Sequence, residues 1–283
     1  MQNSFFDTHL KGKRQDRIGN SDERSNCMDL NFRRELIKNY HGKTQIARIL
    51  TETWMVDNMF CPRCGNMRIE HFPNNRPVAD FYCPNCKCEF ELKSKHGNLS
   101  EKITDGAYNT MIERITSNQN PDFFFMGYDE ENFQVRDLIL IPKYFFVPNI
   151  IEKRKPLSQN ARRAGWVGCN IIISEVPEQG RIKIIEHGEV NNIHSIINKV
   201  NRGNALEISD INSRGWLIDV LTCVNMLQGS DFLLSDMYSF EDQLRQKHPQ
   251  NNNVRPKIRQ QLQILRDKGF VEFLGNGRYR KIM

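Results

Sequence analysis

Asp80, Glu91 and Lys93 are the side chains of this 283-residue sequence best suited, by type and spacing, to chemistry on a phosphate ester. In a strand, residues two apart face one side, so Glu91 and Lys93 would share a face while Phe90 and Leu92 turn to the core. A neighbouring strand carrying Asp80 would bring a second carboxylate beside them. Two carboxylates offer the hard oxygen ligands that Mg²⁺ takes, with waters and a phosphate oxygen completing its shell. An ion held there polarises a phosphodiester and lowers the pKa of an attacking water, and Lys93 can hold that water or neutralise the developing charge. The triplet alone is a weak signal. At ordinary Glu and Lys usage of about 6% each, Glu-x-Lys arises by chance roughly once per 280 residues, and it occurs once here. A solvated strand face is the competing reading, against which stands the triplet's position in a strand between two helical stripes.

Cys61-Pro62-Arg63-Cys64 and Cys83-Pro84-Asn85-Cys86 each put two thiolates on a tight turn. Two such turns complete the four-sulfur tetrahedron of structural zinc, which leaves no open position for substrate, so the ion is a staple and not a catalyst. Cys88 competes as a fourth ligand, although a spare thiol is the simpler reading. With four of eight cysteines in these two pairs, metal ligation in a reducing compartment is favoured over a disulfide framework.

The elements that must carry these residues follow from apolar periodicity. Ile46, Ile49, Leu50 and Trp54 form one face of a helix from Lys43 to about Trp54. Strand-like pieces run from Pro77 to Tyr82 and from Glu89 to Lys93, the second closed by Gly97. Ser100 is read as the N-cap of a helix bearing Ile103, Ala107, Met111 and Ile115. Phe123–Met126 and Leu138–Ile141 read as buried strands, and a further strand pair is expected around Ile171–Ile173 and Arg181–Ile185. The polar, basic stretch from Lys153 to Asn170 is a loop long enough to be functional. A polar run from about Asn191 to Gly203 is read as a domain junction. Beyond it lie helices over Ser213–Leu227, Ser235–Lys247 and Arg255–Lys268, then a hairpin turning at Gly275-Asn276-Gly277 into Arg278-Tyr279-Arg280-Lys281. Three helices and a basic hairpin make a winged helix.

Hydrophobic residues make up 39% and charged residues 26% of the chain, a globular composition without an apolar run of the roughly 18 residues that span a bilayer. Residues 1–27 lack the apolar segment of a secretory signal and are expected to be a disordered or mobile extension. The expectation is a soluble protein of the bacterial cytoplasm with no membrane partner. The net charge of +6 is too mild to identify a nucleic-acid partner by itself.

Pro77-Val78-Ala79-Asp80 followed by Glu91-Leu92-Lys93 is similar to the active-site signature of PD-(D/E)xK nucleases. Longer runs narrow this. Asn75 to Cys83, Phe90 to Lys95, Asp105-Gly106-Ala107-Tyr108, Ala161 to Trp166 and Ile258 to Lys268 resemble the type IIM, methyl-directed restriction endonucleases. The resemblance runs from about Met28 to the C-terminus. It implies an α/β (α+β) PD-(D/E)xK core with an inserted four-cysteine zinc site over residues 28–200, and a winged-helix DNA-binding domain over 201–283. It further implies Mg²⁺-dependent, blunt cleavage of double-stranded DNA at GATC when the adenine is N6-methylated, by a monomer that reads its site with both domains. In those terms Asp80 and Glu91 are Mg²⁺ ligands, Lys93 is the catalytic lysine, and Cys61, Cys64, Cys83 and Cys86 hold the zinc.

A 6-methyl group removes one adenine amino hydrogen from the major groove and adds an apolar bump, so its reader needs apolar surface beside an amide. In the third C-terminal helix Ile258, Leu262 and Leu265 mark the buried face, which turns Arg259, Gln260 and Gln263 outward, with Arg255 and Lys257 near its start. Arg suits guanine and Gln suits adenine. Arg278, Arg280 and Lys281 would lie on phosphates, and Arg162, Arg163 and Trp166 would present a second DNA-binding surface, with Trp166 either contacting the methyl group or packing. Trp54 and Trp216, on helical stripes, are expected in the core. The alternative to an enzyme is a winged-helix DNA-binding regulator without nuclease activity.

Overall fold

The computed structural model describes residues 28–73 and 79–282. The extension over 1–27 and the Pro77-Val78 half of the signature lie outside the described residues.

A seven-stranded mixed sheet forms the centre of the N-terminal two thirds, in the order β1-β2-β3-β5-β6-β9-β10. Its strands are β1 (Glu70–His71), β2 (Phe81–Tyr82), β3 (Glu89–His96), β5 (Asp122–Asp129), β6 (Gln134–Ile141), β9 (Ile182–Glu186) and β10 (Glu189–Val190). β5 is apolar throughout its middle because both its faces are covered: Phe123 and Phe125 enter one hydrophobic cluster, Phe124 and Met126 another. β3 runs parallel to β5, with Glu91 opposite Phe123 and Lys93 opposite Phe125. A parallel pair needs a crossover, here built from β4 (Lys102–Ala107) and α2 (Tyr108–Thr116). On the other face lie α1 (Lys43–Asn58) and α3 (Ile193–Asn204), whose Leu50, Trp54, Met55, Ile196 and Val200 are buried there.

Three expectations about strands are corrected. Lys102–Ala107 is a strand, not the first turns of a helix, and it pairs with β8 (Gly168–Ile172), Ile103 opposite Ile171. Ile103 and Ala107 are four apart, a spacing that lines one face of a helix and one face of a strand alike; only at Tyr108 does the helix begin, burying Met111 and Ile115. The run Asn191–Gly203 folds as α3, capped by Asn192, whose side chain accepts from the Ser195 backbone N–H at 3.0 Å. The strands near Ile171 and Ile185 do not pair: β8 joins β4 and β7 (Ile151–Lys153) in a small sheet ordered β4-β8-β7, while β9 pairs with β6 and β10. Strand β2 starts at Phe81, with Asp80 in a bend just before it. Trp54 and Trp216 are both buried, as expected.

The C-terminal quarter is a winged helix: α4 (Ile211–Met226), β11 (Asp231–Leu233), α5 (Leu234–Tyr238), α6 (Glu241–Lys247), α7 (Val254–Asp267), and the hairpin β12 (Val271–Gly275) and β13 (Arg278–Lys281). The helix expected over Ser235–Lys247 is broken in two at Ser239, whose hydroxyl turns back to the Asp236 carbonyl at 2.6 Å. The hairpin turn needs left-handed backbone at Gly275, Asn276 and Gly277, with φ of 90°, 49° and 73°. β11 adds a third strand beside β13, with Phe232 opposite Tyr279. Phe145, Ile173 and Val176 share one hydrophobic cluster with Leu217, Leu221 and Val224 of α4. None of the described helices is long and apolar enough to cross a membrane.

Candidate active site and DNA-reading surface

The strand pairing that brings the acids together is local. β2 and β3 are antiparallel with Phe81 opposite Phe90. The Asp80 backbone N–H donates to the Phe90 carbonyl at 2.9 Å, and the Leu92 N–H donates to Asp80 Oδ2 at 2.8 Å. Asp80 is thereby held against the strand bearing Glu91 and Lys93. Burial raises the Asp80 pKa above the usual carboxylate range; the Leu92 bond opposes this, while Glu91 and Glu52 add repulsion.

Lys93 Nζ lies 2.6 Å from Glu91 Oε1 and is also paired with Asp105 Oδ1 of β4. Burial works against the ammonium, yet these two carboxylates outweigh it and hold the Lys93 pKa above its ordinary value. Arg114 of α2 donates to the second Glu91 oxygen at 2.7 Å. On the α1 side, Glu52 receives Arg48 at 2.8 Å and lies 3.1 Å from His71 Nε2. Asp105, Arg114, Glu52 and His71 were not assigned from the sequence. The Asp105-Gly106-Ala107-Tyr108 run was visible, but its place beside Lys93 depends on β4 being a strand. No local spacing marks the others.

Glu91 and Glu52 both act on Asp80 as like charges, and a divalent cation is the species that relieves such repulsion through hard oxygen ligands. Asp80 and Glu91 are the residues that would hold it.

The four cysteines meet as their spacing requires. Among the described residues, Cys61, Cys64, Cys83 and Cys86 bring their sulfurs within 4.8 Å of one another. Sγ separations of 3.6 Å for Cys61–Cys86 and for Cys64–Cys83 are close to the edge of about 3.8 Å in a tetrahedron of ~2.3 Å Zn–S bonds. The cluster could hold a zinc ion. Cys88 stands outside this group; its carbonyl accepts from the Cys83 N–H at 2.9 Å, and burial pushes its thiol up to about 12.

On α7, Arg255, Arg259, Gln260 and Gln263 are exposed and Lys257 half-buried, while Ile258, Leu262 and Leu265 are fully buried. Arg259 donates to the Tyr238 hydroxyl at 2.7 Å, and Arg255 to Glu241 at 2.6 Å. On the wing, Arg278 and Arg280 both reach Asp231, at 3.3 and 2.9 Å. Lys281 differs from expectation: its Nζ turns inward to the Leu227 carbonyl at 2.6 Å, so it ties the wing to α4. In the basic loop, Leu157 and Trp166 close a hairpin neck at 2.9 Å. Arg162 and Arg163 are exposed, and Arg163 lies 4.6 Å over the half-buried Trp166 ring. That ring covers Gly168 so closely that a Cβ there would come within 2.8 Å of it. Gly168 lies opposite Ala107, two residues from Asp105, so the loop is rooted beside the acidic centre.

Acids gathered around a lysine on an inner strand of the large sheet, on a chain that ends in a winged helix, fit an enzyme that acts on DNA. The Dam-replacing family, DpnI, matches residues 28–209, and the Dam-replacing HTH domain matches residues 212–281. The chain belongs to the DpnI family and is a restriction endonuclease, a hydrolase with a helix–turn–helix DNA-binding domain.

Proposed function

We propose that this restriction endonuclease hydrolyses double-stranded DNA at GATC sites carrying N6-methyladenine, in a Mg²⁺-dependent reaction that leaves blunt ends, with Asp80, Glu91 and Lys93 as its catalytic residues. The observation that carries the reading is the convergence of those three side chains in a member of the DpnI family.

Asp80 and Glu91 would hold the divalent ion, which when bound would supply a polarised phosphodiester and an acidified water. Lys93 stays protonated through the neutral range, because Glu91 and Asp105 more than offset its burial, and its ammonium neutralises charge that develops on the phosphate. Arg114 fixes the second oxygen of Glu91, and Asp105 fixes Lys93 from β4 of the small sheet. A zinc ion held by Cys61, Cys64, Cys83 and Cys86 would tie the Cys61–Cys64 turn to the turn between β2 and β3 and, with four protein ligands, would take no part in hydrolysis.

On DNA, Arg255, Lys257, Arg259, Gln260 and Gln263 of α7 face the major groove, and Arg278 and Arg280 of the wing face phosphates. Arg162, Arg163 and Trp166 serve the catalytic domain as a second reader. The direct test is digestion with Mg²⁺ of two identical plasmids, one adenine-methylated at GATC and one not, with Lys93→Ala alongside. Cutting of the methylated plasmid alone, abolished in the variant, is expected. Zinc-loaded, folded protein that cuts neither would overturn the reading.

A further inference from the structure

Arg214 lies one turn into α4, the first helix of the winged helix, with 3% of its surface exposed. Its guanidinium reaches out of that domain. Nη2 donates to the Ile115 carbonyl at 3.1 Å and Nη1 to Asn118 Oδ1 at 2.7 Å, with the Ile208 carbonyl at 3.4 Å. The Ile115 carbonyl is one of the acceptors left open at the C-terminal end of α2, where a cation also meets the negative end of the helix dipole. Asn118, held in left-handed backbone at φ 58°, returns a bond from Nδ2 to the Ser209 carbonyl at 3.2 Å. The clasp is therefore reciprocal. The residue before Ile115 is Arg114, which holds Glu91, and its own carbonyl accepts from the Gln119 N–H at 3.1 Å within the same turn.

We propose that Arg214 is a positioning residue for the hydrolytic centre: by fastening the C-terminal turn of α2 it sets Arg114, and through Arg114 the Glu91 carboxylate, so that the centre is fully ordered only while the winged helix is docked. This rests on Glu91 and Lys93 being the centre. Docking of the DNA-reading domain is then a condition for cutting and not only for binding. A misplacement of about 1 Å at a reacting centre can cost on the order of a hundredfold in rate, so a clasp of neutral acceptors around one guanidinium is enough to matter.

The test uses the full-length, zinc-loaded chain with Arg214→Gln, Arg114→Gln and the double variant. It reads the single-turnover cleavage rate at saturating enzyme, affinity for the methylated duplex without Mg²⁺, and Tm. Arg214→Gln is expected to slow cleavage roughly tenfold with affinity changed by less than about twofold, and the double variant to be no slower than Arg114→Gln alone, because coupled residues do not add. A wild-type rate in folded Arg214→Gln, or rate losses that multiply in the double variant, overturns the proposal. If Arg214→Gln does not fold, Asn118→Gly keeps the guanidinium and the left-handed backbone and removes one acceptor; a rate loss of a few-fold in the folded variant supports the clasp, and an unchanged rate overturns it. Lys93→Ala cutting at the wild-type rate would bring down the centre and this proposal together, whereas an inactive Lys93→Ala beside a fully active Arg214→Gln brings down the coupling alone.

Discussion

At Asp80, burial and the neighbouring Glu91 and Glu52 act in one direction, and the Leu92 N–H bond only partly opposes them. A carboxyl whose folded pKa is raised destabilises the fold wherever it is ionised, and the penalty disappears as pH falls through the raised value. Asp80→Asn should therefore raise the Tm of the metal-free protein at neutral pH, by about 2–4 °C if the relief is near 1 kcal/mol, while abolishing cleavage. Differential scanning calorimetry with a parallel digestion checks both halves, and a lower Tm would contradict the electrostatic account. The same shift sets an acid limb: at limiting Mg²⁺, cleavage should fall off at a pH above the ordinary Asp value, since a protonated Asp80 cannot hold the ion. Lys93 behaves oppositely, and its raised pKa keeps it charged well past neutrality.

Among the elements, the wing and the α4–α6 contact lend themselves to measurement. Asp231 on β11 already occupies both Arg278 and Arg280, so under the proposed reading these arginines would exchange a carboxylate for phosphates on DNA. Each phosphate contact contributes a salt-dependence slope of about −0.9. Arg278→Ala should flatten the log–log salt slope by about 1 and leave the preference for methylated sites unchanged, as read by titration at several salt concentrations; a changed preference would mean that Arg278 reads bases. Asp219 of α4 is buried, and although burial alone would raise its pKa, His248 at 2.8 Å and Lys247 at 3.0 Å hold it below the usual range, with Asn149 at 3.1 Å as a further donor. Its stabilisation is present above the unfolded Asp pKa and is lost as pH falls through the depressed folded value. Asp219→Ala should cost about 3–5 kcal/mol, the usual consequence of breaking a buried charged cluster by removing one partner. Urea denaturation measures this, and a cost below about 1 kcal/mol would show that Lys247 and His248 find other partners.

Across the whole molecule, the four-cysteine cluster and the shared hydrophobic cluster join parts that are distant in sequence. Cys61 and Cys83 are fully buried and flank the segment that leads into Asp80. Structural zinc contributes on the order of 10–16 kcal/mol of apparent folding free energy in small domains. Chelation should therefore release about one zinc per chain and abolish cooperative unfolding of the catalytic domain, followed by metal analysis and near-ultraviolet circular dichroism; a stripped chain with an unchanged Tm would remove zinc from the fold. Docking of the winged helix draws on Phe145, Val176 and Leu217 in one cluster, on the Gln179–Asn225 amide pair at 2.8 and 3.1 Å, and on Arg214.

The sequence by itself determined whatever depends on short spacing. Glu91 and Lys93 share a face because strand geometry has a period of two, the cysteine pairs form metal turns because two intervening residues suffice, and the winged-helix elements carry their own apolar stripes and glycine turn. The tertiary structure decided the rest. Ile103 and Ala107, four apart, fit a helix and a strand equally, and only pairing with β8 selected the strand and so delivered Asp105 to Lys93. Glu52 and Arg114 reach the centre from α1 and α2, and Arg214 reaches α2 from another domain. Contacts between residues tens of positions apart depend on the path of the whole chain, and no local period encodes that path.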